Sequence, residues 1–343
     1  MKKSDSGEKI LESRTGPNCD EATARAPASV GNIAVGFDIL GHVLSGVSDE
    51  VQVRRNHAQE GAQVQIESIS FADSLTPASL PLDPEKNTAG QAVLSLLKAH
   101  AASFSVTLKI HKGIPLSAGM GGSAASAVAA VMAANQLLAR PLPLRDLLPF
   151  AVAGEAVASG AAHADNIAPC LLGGAQLIVG QSAYALPVDP QILCVVVHPD
   201  LKIETKTARA VLRPEVPLRQ FTEQASYLAG FVHACHTRDR HLLRQVLRDI
   251  CIEPQRAHLI PGFHRAQAEA LRLGALGFSI SGAGPSVFAW VEEQETAEVV
   301  RDATKKIFAE IGIKSEAWIS AVASPGAHLI SAPPAGAPLA SEF

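Results

Sequence analysis

The sequence lacks the cysteine and histidine patterns of disulfide-rich and zinc-binding proteins. Its five cysteines are odd in number, scattered and free of any Cys-x-x-Cys pair, which favours reduced thiols in a cytosolic protein. The twelve histidines include no His-x₃-His pair suited to zinc. The Gly-x-Ser-x-Gly sequence of serine hydrolases and the Gly-x₄-Gly-Lys-Ser/Thr sequence of one class of nucleotide-binding proteins are also absent.

Long apolar runs and a charge excess are missing too. The net charge of −4 provides no general attraction to nucleic acid or to an anionic membrane, so we expect neither as a partner. The longest apolar stretches, such as 124–134, are too short and too rich in alanine to span a bilayer. A chain of 343 residues with 47% hydrophobic residues therefore reads as a globular protein of two domains.

The two ends differ from the rest of the chain. Residues 1–22 are polar and lack the apolar core of a signal peptide, which predicts a disordered extension. Residues 331–343 are rich in proline and alanine and predict a flexible tail. Between them, a break near Leu186-Pro187 suggests an N-terminal domain over 23–187 and a C-terminal domain over 188–330.

Short strands and helices alternate along both predicted domains. Period-2 and fully apolar runs predict strands at 49–54, 62–67, 106–110, 173–179, 192–197, 278–290 (two strands around a turn) and 315–320. Helical spacing predicts helices at 87–100, 123–139, 144–159, 222–236, 239–251, 262–273 and 295–309. Asn87 or Thr88 is predicted to cap the first of these helices. The pattern indicates an α+β protein, with helices on one face of an antiparallel sheet in the second half.

The most informative segment is a glycine-rich loop at 115–126, between the strand at 106–110 and the helix from 123. Such a loop presents free backbone N–H groups at the positive end of a helix dipole, where phosphate binds well. Gly119, Gly121 and Gly122 fall within four positions, beside two hydroxyls. The alternative is a tight turn whose glycines only relieve crowding.

Two residues near this loop could hold the metal ion that phosphate chemistry needs. Mg²⁺ prefers one or two protein oxygens together with phosphate oxygens and water. Ser123 stands where the loop becomes a helix, and Glu155 lies in an otherwise uncharged stretch of alanines. A carboxylate is costly to bury there unless a cation accompanies it, although Glu155 could equally face solvent.

Further candidates are weaker when they are considered one at a time. His163, Asp165 and Asn166 follow a helix and could bind a substrate or simply form a turn. The segment from Ala26 to Asp38, in which Asn32 and Asp38 stand six positions apart, could be an ordinary strand and turn. Arg209 and Arg256 could be solvated surface charges or could bind a carboxylate together.

Taken together, these segments resemble a known superfamily. The loop at 115–126 is similar to the second motif of the GHMP small-molecule kinases, which include galactokinase, homoserine kinase and mevalonate kinase, and Ser279 to Ser286 resembles their third motif. Sugar and mevalonate kinases usually end the first motif in Gly-Glu-His, whereas Gly36-Phe37-Asp38 is similar to the homoserine kinases. The resemblance spans about 23–330, including the segments 163–170, 172–174, 227–231, 253–256 and 259–263.

This resemblance implies an N-terminal domain similar to ribosomal protein S5 domain 2, a ferredoxin-like C-terminal domain and a nucleotide between them. It implies MgATP-dependent phosphorylation of the side-chain hydroxyl of L-homoserine, which serves threonine biosynthesis in the cytoplasm. The family commonly forms dimers, so a homodimer is a further hypothesis. Two rival hypotheses are a GHMP kinase for another small alcohol and an inactive, ligand-binding regulator.

The resemblance also implies roles for individual residues. Ser123 and Glu155 would hold Mg²⁺, and Asn87 would lie near the nucleotide base. His163 and Asn166 would lie close to the acceptor hydroxyl, with Asn166 aligning a direct attack and no general base assigned. The amino-acid site would be lined by Asn32, Asp38, Asp165, Arg209 and Arg256. The phosphates would be wrapped by Pro115, Leu116, Ser117, Ala118, Gly119, Met120, Gly121, Gly122, Ser123, Ala124 and Ala125. Gly122, where the family usually has serine, predicts an altered nucleotide affinity.

Overall fold

A computed structural model describes residues 19–159 and 163–331 of the chain. Most of the predicted N-terminal extension and all but the first residue of the predicted tail lie outside these residues. Glu21 and Ala22, assigned above to the extension, instead begin the first strand. Within the described ranges, no helix has the length and apolar character that a membrane crossing needs.

Within the part of the chain that the structure describes, the first sheet has seven strands. They are β1 (Glu21–Gly31), β2 (Leu40–Glu60), β3 (Val64–Phe71), β4 (Phe104–Lys112), β5 (Ala175–Val179), β6 (Ser182–Leu186) and, from the end of the described chain, a strand at His328–Ser331. The main order is His328–Ser331, β1, β2, β4, β3, while β5 pairs with both β2 and β6. All pairs are antiparallel except β3 with β4.

Helices cover one side of this sheet. They are α1 (Thr88–Ala99), α2 (Gly122–Asn135), α3 (Leu148–Ser159) and α4 (Ile167–Leu172), with 3₁₀ turns at Pro84–Lys86 and Leu144–Leu147. The predicted cap of α1 is confirmed, because the Asn87 side chain accepts the N–H groups of Ala89 and Gly90. The small residues of α2 are buried nearly all round, which lets the helix pack closely against β1, β2, α1 and α3.

The second sheet is antiparallel, with the order β10, β7, β9, β8. Its strands are β7 (Leu193–Pro199), β8 (Gly277–Ile280), β9 (Val287–Val291) and β10 (Ser315–Ala321), which makes the strand at His328–Ser331 β11. The helices of this half are α5 (Thr205–Ala210), α6 (Leu218–Thr237), α7 (Arg240–Val246), α8 (Glu253–Arg256), α9 (Phe263–Arg272) and α10 (Gln294–Glu310), with a 3₁₀ turn at Ala257–Leu259.

Helices lie on both faces of the second sheet, so the expectation of one covered face is wrong. Val195 and Val197 of β7 join a core with Phe263 of α9 and Phe308 of α10. The alternate residues of β7 and β9, including Trp290, join the larger core of the first sheet together with α6 and α7. The all-apolar sequence of β7 is explained by this two-sided burial.

Two predicted helices end earlier in the structure, and three short helices were not predicted. The helix predicted over 239–251 ends at Val246, because Asp249 then accepts the N–H groups of residues 251–253 and starts α8. The helix predicted over 123–139 ends at Asn135, whose side chain bonds the backbone of Leu142. The short helices that were not predicted are α4, α5 and α8.

Candidate active site

A cavity of about 1420 Å³ lies between the two halves of the molecule. Its walls come from the loop after β4, the start of α2, α3, the segment before α4, α5, α8 and the turn between β8 and β9. Of the predicted site residues, only Ala124 and Ala125 do not line it, because both are fully buried behind the loop. The lining includes Asn32, Asp38, Asn87, Pro115 to Ser123, Glu155, His163, Asp165, Asn166, Arg209 and Arg256.

The loop before α2 has the conformation that exposes backbone N–H groups. Gly119 and Gly121 have φ values of 72° and 66°, in the left-handed region that favours glycine. Gly121 is the N-cap residue of α2, and it has no side chain to accept the first N–H groups of this helix. The N–H groups at the start of α2 are therefore directed towards the cavity wall, where a phosphate would satisfy them.

Neighbouring segments hold this loop from several sides. The Ser281 hydroxyl donates to the Gly119 carbonyl oxygen at 2.7 Å, and the Ser286 N–H donates to the Ala118 carbonyl oxygen at 3.2 Å. A Cβ atom on Gly119 would lie 2.4 Å from the Ser281 carbonyl oxygen. The predicted third motif thus packs against the loop, and Gly119 serves close packing as well as an open backbone.

A buried charged cluster behind the loop was not anticipated from the sequence. The Lys112 Nζ contacts the Asp49 carboxylate and donates to the Gly122 carbonyl oxygen and the Ser126 hydroxyl, both at 2.8 Å. Asp49 is fully buried and also accepts the N–H groups of Gly113 and Ile114, each at 3.1 Å. This cluster attaches the end of β4 and the start of α2 to β2.

Ser123 and Glu155 come together, as the metal hypothesis requires. Their side chains are hydrogen-bonded at the cavity wall. Burial raises the pKa of Glu155 to about 7, although the bonds from Ser123 and the charge of Lys112 act in the opposite direction. Within the described ranges, no three His, Cys, Asp or Glu side chains group closely enough to form an all-protein metal site. One carboxylate and one hydroxyl are the hard oxygen donors that fit Mg²⁺ shared with phosphates.

Asp38 and Arg209 form an ion pair on the opposite side of the cavity. The two nitrogens Nη1 and Nη2 of Arg209 donate to the two carboxylate oxygens of Asp38, at 3.0 and 2.7 Å. Asp38 has a φ of 63°, and its N–H donates to the Asn32 Oδ1 at 3.0 Å, which fixes the end of the first motif. The His163 Nδ1 lies 3.6 Å from Asp38.

Arg256 lies beside this pair. Its Nε donates to the Ala208 carbonyl oxygen at 2.9 Å, and its Nη1 donates to that of Gly282 at 3.2 Å. Burial, followed by the charge of Arg209, lowers the pKa of Arg256 to about 10. The Cζ atoms of Arg209 and Arg256 lie 5.5 and 5.1 Å from the centre of the Phe37 ring, so the two guanidinium groups converge.

Asp165 and Asn166 stand between the two sides. Burial and the charge of Asp38 raise the pKa of Asp165 to about 7. The Asn166 Nδ2 donates to the Asp165 Oδ2 at 3.2 Å, and its Oδ1 accepts from the Ser29 hydroxyl at 2.9 Å. Sequence reasoning missed Ser29, which has no signal beyond being a serine in a strand.

Asn87 also lines the cavity, but its polar atoms are already engaged. The Oδ1 accepts two N–H groups of α1, at 3.0 and 3.3 Å, and the Nδ2 donates to the Pro81 carbonyl oxygen at 3.0 Å. A contribution of Asn87 to a nucleotide base would therefore come through the shape of the Pro81–Asn87 wall.

Comparison with known proteins identifies the family. Residues 87–174 match the model of the GHMP kinases N terminal domain, and residues 231–310 match that of the GHMP kinases C terminal region. A homoserine kinase from Xanthomonas campestris pv. campestris (strain B100) is 47% identical over 311 residues, which cover 91% of this chain and 94% of that protein. This chain belongs to the homoserine kinase family. A family member from Chlorobium phaeovibrioides (strain DSM 265 / 1930) is 42% identical over 89% of this chain and 98% of its own.

Solved structures agree with the family. A homoserine kinase from Cytophaga hutchinsonii ATCC 33406 has a TM-score of 0.85 and 39% identity, over 91% of this chain and 98% of that one. A mevalonate kinase from methicillin-resistant Staphylococcus aureus MRSA252 has a TM-score of 0.58 at 18% identity, covering 89% of this chain and 100% of that one, which shows a shared fold alone. The predicted family, the GHMP-kinase fold and the class of enzyme are confirmed.

Proposed function

We propose that this enzyme transfers the γ-phosphoryl group of MgATP to the side-chain hydroxyl of L-homoserine and forms O-phospho-L-homoserine, a precursor of threonine. One observation carries the proposal: a single cavity joins a loop suited to phosphate with a cluster suited to a zwitterion. The homoserine kinases that match nearly the whole chain support the same substrate. The cytoplasmic location and the homodimer remain predictions.

The nucleotide side is built from backbone groups. Residues 115–123 would bind the phosphates through main-chain N–H groups, with Lys112 supplying a buried positive charge behind Gly122. Ser123 and Glu155 would hold Mg²⁺, which when bound neutralises charge on the phosphate oxygens. Glu155 must be ionised for this role, so its elevated pKa matters for the pH dependence.

The acceptor side is built from charged side chains. We propose that homoserine inserts between Asp38 and Arg209, with its ammonium on the carboxylate and its α-carboxylate on the guanidinium groups. Arg256, held by Ala208 and Gly282, adds a second positive charge to the carboxylate position. A neutral sugar or alcohol could not replace the ion pair of Asp38 and Arg209 with ion pairs of its own, and this favours an amino acid over other small alcohols.

The transfer itself needs alignment more than acid–base chemistry. The hydroxyl oxygen forms a bond to the γ-phosphorus while the bond to the β,γ-bridging oxygen breaks and ADP leaves. In a loose transition state the hydroxyl proton leaves late, after the O–P bond has begun to form, and passes to an oxygen of the transferred phosphoryl group and then to water, so no side chain is assigned as a general base. Asn166 would hold the acceptor oxygen in line, and His163 would close the site beside Asp38.

A substrate panel tests the proposal. We expect ADP release to be fastest with L-homoserine and to be negligible with galactose or mevalonate. The Glu155→Ala variant should be inactive, while Glu215→Gln, a change of an exposed glutamate outside the cavity, should match the wild type. Preference for galactose or mevalonate would contradict the amino-acid assignment. Tight homoserine binding in calorimetry without turnover would favour the regulator hypothesis instead.

A further inference from the structure

Ser29 contacts the active site from behind. It lies in β1, is completely buried and does not line the cavity. Its hydroxyl donates to the Oδ1 of Asn166 at 2.9 Å, and its N–H donates to the Met120 carbonyl oxygen at 3.1 Å. One residue of the sheet is thus bonded both to the proposed phosphate loop and to the residue proposed to align the acceptor.

The hydrogen bonds around Asn166 define which way its amide points. The oxygen accepts from Ser29, and the nitrogen donates to the Asp165 Oδ2 at 3.2 Å. A side-chain amide nitrogen carries two N–H groups, so one remains to be directed at the cavity. The flipped amide would set its oxygen against the oxygen of Asp165. Asp165 therefore selects this orientation, and the Ser29 hydroxyl stabilises it by donating to the amide oxygen.

The packing around this array depends on two glycines. A Cβ atom on Gly121 would lie 2.1 Å from the Ser29 Oγ. A Cβ atom on Gly31 would lie 2.7 Å from both the Asn166 Nδ2 and the Asp165 Oδ2. Both glycines are needed for the serine hydroxyl and the asparagine amide to meet, because any larger side chain would displace one of them.

We propose that Ser29 is a positioning residue, which fixes the Asn166 amide so that an N–H group, and not the carbonyl oxygen, faces the acceptor hydroxyl. The inference deepens the proposed function and rests on it. An N–H donor orients the hydroxyl oxygen by hydrogen bonding to one lone pair and leaves the other lone pair for the phosphorus. Asn166 in this orientation cannot accept the hydroxyl proton, which is consistent with a reaction that has no general base.

A double-mutant cycle tests this role. We expect Ser29→Ala to lower kcat by about 5- to 10-fold, the cost of losing one neutral hydrogen bond, with the KM values for MgATP and homoserine within about twofold. In the Asn166→Ala background, the same change should have no further effect on kcat. A matched control is Ser105→Ala, which removes another fully buried serine hydroxyl of this sheet, outside the cavity, and should leave kcat unchanged.

The possible failures are distinguishable. If Ser29→Ala lowers kcat equally in the presence and absence of Asn166, Ser29 acts by another route and the inference is overturned. Wild-type kcat in Ser29→Ala beside a strongly impaired Asn166→Ala would also overturn it, while leaving the proposed function intact. Wild-type kcat in Asn166→Ala would remove the proposed role of Asn166 itself. Thermal unfolding of all variants checks that a lower kcat does not reflect unfolded protein.

Discussion

The two sides of the cavity are lined by different kinds of chemical group. The proposed nucleotide side consists of backbone groups in left-handed turns, held by Ser281, Ser286 and the buried pair of Lys112 and Asp49. The proposed acceptor side consists of charged side chains, of which Asp38 and Arg209 are bonded to each other.

This difference bears on what each ligand must do. A triphosphate meets N–H groups that are already positioned, so its binding requires little rearrangement. A zwitterion has to replace the ion pair of Asp38 and Arg209 with two new ion pairs of its own. The acceptor side is therefore selective, because a ligand with one charge would leave the other partner unpaired in a partly buried site.

The largest effect should come from removing the proposed metal ligand on the nucleotide side. Glu155→Gln keeps the size and the bond to Ser123 but loses the charge, so we expect kcat to fall by about 100-fold or more. The measurement is ADP release at saturating MgATP and homoserine, with Glu215→Gln as the control. Wild-type kcat in Glu155→Gln would show that the carboxylate does not hold the metal.

The next effect tests whether the backbone of the loop is rigid. Gly119→Ala combines a φ of 72° with a Cβ atom 2.4 Å from the Ser281 carbonyl oxygen, and should raise the KM for MgATP by about 10-fold or more. Gly312→Ala is a matched control, because φ is 79° there but no atom lies within 4 Å. The control should cost only the backbone strain, about 1–2 kcal/mol of unfolding free energy, and leave KM unchanged. Equal KM values in both variants would contradict a loop held by the third motif.

A third prediction concerns the acceptor side. Asp38→Asn removes one partner of the ion pair, and losing a charged hydrogen bond of about 1.5–3 kcal/mol should raise the KM for homoserine by about 10- to 150-fold. The KM for MgATP should stay within about twofold if the two sides are independent. Parallel steady-state titrations of both substrates measure this, and an equal rise of both KM values would show that the two sides are coupled.

The smallest effect is a pH dependence that Mg²⁺ can move. Because burial raises the pKa of Glu155 to about 7, the folded protein keeps this proton below pH 7 and releases it above. At limiting Mg²⁺, kcat/KM for MgATP should therefore rise with pH and level off above about 7. Saturating Mg²⁺ competes with the proton and should move the midpoint to lower pH. A midpoint that is the same at both Mg²⁺ concentrations would show that the group that titrates does not bind the metal.

Local sequence patterns predicted the nucleotide side better than the acceptor side. The loop at 115–126 and the cap at Asn87 depend on residues within a few positions of each other, and both have the expected local structure. Asp38 and Arg209 are 171 positions apart, and Asn32 bonds Gly282 across 250 positions, so no spacing rule connects them. Only the resemblance to a family predicted that these residues share one site.

The buried groups behind the site show a further limit. Lys112 and Asp49 lie in strand sequences that alternate as if one face were exposed to solvent, yet the two side chains are 4% and 0% exposed. Burying either charge alone would be costly, and each is tolerated in the interior because the other neutralises it. A single sequence does not show that these two residues are paired. Ser29 is similar, because its proposed role depends entirely on its bonds to Asn166 and Met120, which lie far from it in the sequence.

The pairing of β11 with β1 has a mechanical consequence. The chain leaves the first sheet after β6 and returns to it after β10, where Ala327 bonds Cys170 and Ser324 bonds Gly174. The intervening half is therefore connected to the first sheet at both of its ends. Because both ends are connected and the larger core is shared by the two halves, we expect the walls of the cleft to keep the same register.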